Sequence, residues 1–176
     1  MKTKIAAIFC LALSYASTAL ADDTKGIYVG LKAGTLNIDL SGTGLDADNA
    51  NTFGVIGGYA FGNGLSAELE FIPTTEADIM ANGFKVGQLE IDTIGFYAAY
   101  RAALNNSPVF FKVKGGILSE QVDIKGNNGS ISETDSGLSF GLGMGYKLNN
   151  QVSLELEYTL IEQDVDFISG GLNVKF

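Results

Sequence analysis

Among the like-charged residues that stand two apart in this sequence are Glu68 and Glu70, Lys112 and Lys114, and Glu155 and Glu157. Two carboxylates sharing a face could serve as the acid and base of a glycosidase-type site. The wider inventory works against catalysis. There is no His, which removes His-dependent triads, imidazole bases and His-ligated metals together. The single Cys, Cys10, lies near the N-terminus in an apolar run. Carboxylates at i and i+2, on a face that also carries Lys and Arg, are expected to be structural ion-pair partners. The chain is therefore expected to be non-enzymatic, with no catalytic residue and no cofactor.

Two further patterns are weaker still. Asp39, Ser41, Thr43, Asp46 and Asp48 space their oxygens loosely like a calcium loop, but Ala50 stands where the bidentate Glu belongs. Asp46 and Asp48 are thus weak metal candidates, and a solvated acidic loop is expected. Gly62-Asn-Gly-Leu-Ser-Ala67 matches a loose dinucleotide pattern, yet it opens a strand, so the context fails.

The elements that would position these charges follow from composition and period. The chain has 176 residues, with 11 Lys+Arg against 20 Asp+Glu, 23 Gly and 46 % hydrophobic residues. It is too apolar for a disordered chain and too acidic for a nucleic-acid binder. Lys2 and Lys4, the apolar run Ile5 to Leu13 and Ala19-Leu20-Ala21 make a secretory signal, with cleavage expected after Ala21. Residues 22–176 form the second expected unit, a single domain with nine Lys and Arg against 20 acids, a net of −11.

Within that domain polarity alternates with period two, as in Val152-Ser-Leu-Glu-Leu-Glu-Tyr-Thr-Leu160. Eight strands are predicted, about 27–38, 52–62, 65–74, 88–102, 108–122, 135–148, 152–162 and 166–176. Tight Gly- and Asn-rich turns alternate with polar joints near 39–51, 75–87 and 123–134. An even number of antiparallel strands, with short turns at one end, describes an all-β, up-and-down transmembrane β-barrel. The short-turn end is expected to face the periplasm.

Register then separates the faces. Opposing Phe61 with Leu65 sets Gly58 against Glu68. Opposing Leu148 with Val152 sets Gly145 against Glu155 and Gly143 against Glu157. Opposing Tyr100 with Val109 sets Gly95 against Lys114 and Tyr97 against Lys112. Glycine facing a long charged side chain is what a narrow lumen requires. The expected lumen network is Lys32, Glu68, Glu70, Arg101, Lys112, Lys114, Lys147, Glu155, Glu157 and Lys175, bases exceeding acids by two. The opposite face carries Val29, Leu31, Phe96, Phe111, Leu154 and Leu156, with Tyr59, Phe61, Tyr100, Tyr146 and Phe176 as an interfacial girdle. A soluble lipocalin-like barrel would show the reverse. Leu89 and Ile91 are out of phase with Ile94 and Phe96, which calls for a bulge or a strand rising above the bilayer.

The signal ending Ala19-Leu20-Ala21, the opening strand Gly26-Ile-Tyr-Val-Gly-Leu-Lys-Ala-Gly34 and the last strand Gly170-Gly-Leu-Asn-Val-Lys-Phe176 carry a family likeness. The chain resembles the small eight-stranded outer-membrane barrels of the opacity-protein and OmpA transmembrane-domain type, often labelled porin family. The resemblance implies the outer membrane of a Gram-negative bacterium, with membrane lipid and lipopolysaccharide as surroundings. It implies that terminal Phe176 is read by the barrel-assembly machinery; unlike full OmpA-type proteins, the chain is expected to end at the barrel, without a periplasmic peptidoglycan-binding domain. Enzymes among such barrels resemble one another in using a catalytic His, which is missing here. Two roles stay open. One is a surface or envelope-integrity protein, adhesin-like, whose acidic loops meet host or surface ligands. The other is a narrow porin-like channel for small ions or solutes.

Overall fold

The computed structural model describes residues 20–21, 25–38, 46–47, 50–73, 76–81, 84–126, 129–161 and 165–176. Residues 1–19 of the expected signal segment lie outside them, as does Asp48, and of Asp46 only the backbone is described. Eight long strands make the barrel: β1 (Lys25–Ile38), β2 (Ala50–Gly62), β3 (Leu65–Ile72), β4 (Phe84–Ala103), β5 (Val109–Gly126), β6 (Gly129–Lys147), β7 (Val152–Leu160) and β8 (Val165–Lys175). Each pairs antiparallel with the next, and β8 pairs with β1, so the sheet closes on itself. Closure gives every spanning backbone group a partner, the condition for crossing lipid without helices.

The turns follow their residues. Gly62, Asn63 and Gly64 all have positive φ (78°, 57° and 82°), which glycine and asparagine tolerate best. The register there shifts by one, so Leu65 faces Gly62 and not Phe61, while Gly58 still faces Glu68. Between β6 and β7 the Asn149 side-chain oxygen accepts from the backbone N–H groups of Gln151 and Val152.

The β4–β5 hairpin corrects the expected pairing. Tyr100 faces Val113, not Val109, because the turn lies further along the chain, at 105–108: the Leu104 N–H donates to the Val109 carbonyl at 3.0 Å. Lys114 therefore faces Ala99, and Lys112 faces Arg101. The slip is an even number of residues, so no side chain changes face.

The expected loops near 75–87 and 123–134 are largely strand. Pro73, which has no N–H to give a ladder, follows the end of β3. A short strand Glu76–Ala81 then takes β3's place beside β4 and itself pairs with Asp46–Ala47. β5 and β6 run on until Gly126 faces Gly129. β4, β5 and β6 have 20, 18 and 19 residues, against about ten for a spanning strand. Polarity did not mark the end of the ladder, because a strand that has left the lipid keeps its hydrogen bonds and merely wets its side chains. Rising strands, the second expected remedy at 85–92, are what occurs, with a bulge where Ile79 and Met80 meet Gly87 and Lys85.

Candidate functional site: the barrel lumen

The inside–outside inversion is large. Leu31, Phe96 and Leu156 are each more than 60 % exposed, while Lys112 and Lys114 are 2 % exposed and Glu68 1 %. Such a molecule has its solvent-averse face outward, as a lipid-embedded barrel must. Tyr59, Phe61, Tyr146 and Phe176 are exposed near the turn end, and Tyr100 is half-buried.

Inside, the strands repeat one order from turn end to loop end. β3 presents Ser66, Glu68, Glu70 and Ile72; β5 presents Phe110, Lys112, Lys114 and, further on, Leu118; β7 presents Glu155, Glu157 and Thr159, with Ile161 just past its end. Two layers result.

The lower layer is charged. Lys112 Nζ lies 2.9 Å from Glu68, 3.2 Å from Glu155 and 2.9 Å from Glu157. Lys114 contacts Glu70 at 2.5 Å and Glu157 at 2.6 Å. Lys32 reaches the same two acids at 2.7 and 3.2 Å. Arg101 spans Glu68 at 2.8 Å and Glu155 at 3.0 Å, and donates also to Ser66 and Tyr28. Tyr28 and Thr159 donate to Glu68 and Glu157. Four bases thus meet four acids, so the layer is neutral. Charges taken out of water are tolerable only when paired and hydrogen-bonded this fully.

Glycine makes the room. A Cβ on Gly58 would strike the Tyr28 ring, one on Gly145 the Phe110 ring and one on Gly141 the Lys114 side chain. Gly145 and Gly143 face Glu155 and Glu157 across β6–β7.

The upper layer is apolar: Leu36, Ile72, Ile91, Tyr97, Leu118, Ile161 and Phe167, all 5 % exposed or less. Ile91 is out of phase with Ile94 because it points inward here, with Thr93, Gly95 and Tyr97. Sequence reasoning missed this layer, although inward-phase Leu36, Ile72 and Ile161 carried its signal. It missed Tyr28 as a lumen hydroxyl, while Tyr97, placed on the inward face opposite Lys112, faces Gly116 instead. Cations join the layers: Lys114 Nζ lies 4.3 Å from the Tyr97 ring centroid and Lys32 Nζ 5.3 Å from that of Phe167.

Lys147 and Lys175 have the inward phase but lie nearer the turn end than the charged layer, lining a cavity there. Glu120 is buried inside at 6 % exposure, one inward step beyond Leu118. Its strand continues past the expected end, which carries the lumen upward. The excess of inward bases over acids falls accordingly from two to one.

Comparison with solved structures gives the fold independently. Neisserial surface protein A is 20 % identical, with a TM-score of 0.62, over 86 % of this chain and 97 % of that one. OprG from Pseudomonas aeruginosa is 15 % identical with a TM-score of 0.67, over 89 % and 99 %. Ail, the attachment invasion locus protein of Yersinia pestis, is 17 % identical with a TM-score of 0.55, over 88 % and 97 %. No curated protein matches the sequence. The family model described as outer membrane protein beta-barrel domain matches residues 6–176, nearly the whole sequence whose strands close this inverted barrel, and the chain belongs to that family.

Proposed function

We propose that the protein is a non-enzymatic outer-membrane anchor that presents its loop end at the cell surface and conducts nothing through its centre. The observation that carries this reading is the double filling of the lumen: a neutral ion-pair layer lies directly beneath a close-packed apolar one. A narrow channel needs a wetted path past both, and eight strands enclose little more than their own side chains.

The loop end supports the surface role. β4, β5 and β6 stand beyond the spanning length and carry Glu90, Asp92, Asp123, Glu133 and Asp135, with Glu76 and Asp78 on the short strand beside them. That charge suits cationic partners. Ail has been solved with the heparin analogue sucrose octasulfate; a sulfated ligand fits this acidic rim poorly. Export with cleavage after Ala21, and recognition of outward-facing Phe176 by the assembly machinery, complete the proposal.

The test is single-channel recording of the refolded chain 22–176, with folding verified by heat-modifiable gel migration. Silence is expected. Reproducible openings whose selectivity changes in Lys112→Gln would replace this reading with transport. Replacing residues 76–90 and 121–134 by Gly/Ser linkers is expected to abolish whole-cell binding of a polycationic probe; undiminished binding would remove the surface role. Mass spectrometry of protein from outer membranes is expected to find Asp22 as the first residue.

A further inference from the structure

We propose that the upper edge of β6 takes up an extended basic peptide as an added strand, an inference that rests on the surface role and gives it a mode of binding. β7 pairs with β6 only from Ser153 against Lys147 to Leu160 against Phe140. There the chain turns back, the Ile161 N–H donating to the Val165 carbonyl at 3.0 Å, and β8 begins. β6 instead extends beyond that level, to Gly129, and β5 pairs with it all the way. Among the described residues, no strand pairs with the β7 side of β6 over residues 129–139.

One bond fixes which backbone groups face the open side. The Lys147 N–H donates to the Pro108 carbonyl, on the β5 side. Consecutive residues of an antiparallel ladder turn their N–H and C=O groups to opposite neighbours. Ser132, Thr134, Ser136 and Leu138 therefore turn theirs to the open side, and all four residues are exposed. The Ser136 N–H takes its acceptor from the adjacent side chain, Asp135 Oδ1 at 2.7 Å, in place of a strand carbonyl. Proteins commonly blunt such an edge with Lys, Pro, a bulge or brevity. Residues 132–138 contain neither Lys nor Pro, and their register with β5 is unbroken. Their only charges are Glu133 and Asp135, exposed and on one face of the strand. Those charges choose the occupant. A second copy paired edge to edge about a two-fold axis would set these acids against their own counterparts, and like charges directly opposite are destabilising. A peptide with Lys or Arg at every second position sets opposite charges across the new ladder, while its main chain supplies the hydrogen bonds.

The probe is a synthetic peptide of alternating Lys and Thr, added to the refolded chain 22–176 in uncharged maltoside micelles. Its control carries the same side chains with every backbone amide methylated, which keeps the charge and removes the donors. The unmethylated peptide is expected to bind about tenfold tighter or more. It is expected to slow hydrogen exchange at the amides of Ser132, Thr134, Ser136 and Leu138, while those of Glu133 and Asp135, which face β5, keep their rates. Thr134→Pro removes one open-side donor and no bond to β5, so it is expected to lose this binding with the barrel still folded by gel migration. Glu133→Gln/Asp135→Asn is expected to weaken binding about tenfold. Equal binding of the two peptides, without protection of the four amides, would overturn the added strand and leave the acidic surface role standing. Binding of neither would overturn both. Protection of the same amides without peptide, rising with protein concentration, would overturn the proposal in favour of a second copy.

Discussion

Glu157 and Phe167 face the same lumen from paired strands, one inward step apart, and are held there by opposite means. Glu157 accepts from Lys32, Lys114 and Thr159 and pairs also with Lys112. Phe167, with no measurable exposure, belongs to one apolar cluster with Leu36, Ile72, Leu118 and their neighbours. The charged layer is directional: each group is acceptable only while particular partners remain. The apolar layer is fungible, because dispersion and burial ask for volume rather than identity. Ion pairs therefore specify the barrel's internal arrangement, while the apolar layer fills the lumen above it.

The comparison can be broken most severely at its charged side. Glu157→Leu leaves Lys32, Lys112 and Lys114 facing one carboxylate fewer, and is expected to cost about 3–5 kcal/mol, the usual penalty for an orphaned buried charge. The urea midpoint of the refolded protein measures it. Leu118→Ala, in the apolar layer, is expected to cost about 3 kcal/mol, with a cavity and no stranded charge. If the two costs are reversed, the layers are not held as described.

Gly143→Leu comes next, at roughly 1–3 kcal/mol for overpacking. Its Cβ would stand 2.8 Å from the Leu156 carbonyl oxygen, directly across from Glu157. Leu142→Gly, on the lipid face, is expected to lower refolding yield less; equal yields would mean that the inside–outside phase is misplaced. The smallest effect is expected for the double variant Lys114→Met/Glu70→Leu. Removing one base and one acid keeps the layer neutral and leaves Lys32 paired with Glu157. Its cost should be about 1 kcal/mol and lower than that of either single change, a coupling that a double-mutant cycle reads directly.

Much of this was legible before any coordinates. A period of two fixes the face of every residue in a strand, so Lys112, Lys114, Glu155 and Glu157 could be assigned inward from pattern alone. Glycine opposite Glu155 and Glu157 followed from one short turn, since a turn of known length sets the whole register after it. At Ala103 to Pro108 the position of the turn was misjudged, and the partners of Lys112 and Lys114 were misplaced along the strand without changing face. The loops were misjudged for a related reason: polar residues at 76–81 and 123–134 mark the exit from lipid, not the end of hydrogen bonding.

What the sequence determined by itself was the closed eight-stranded barrel, its inverted faces and the set of charges most of which fill its middle, because alternation and turn residues are local signals. The tertiary structure alone decided which base meets which acid, that Ile91 and Phe167 share one apolar layer, and that Asn173 has no hydrogen-bond partner within the protein. Those facts depend on how eight tilted strands are staggered around the closure, and that stagger brings together residues more than a hundred positions apart, such as Lys32 and Glu157.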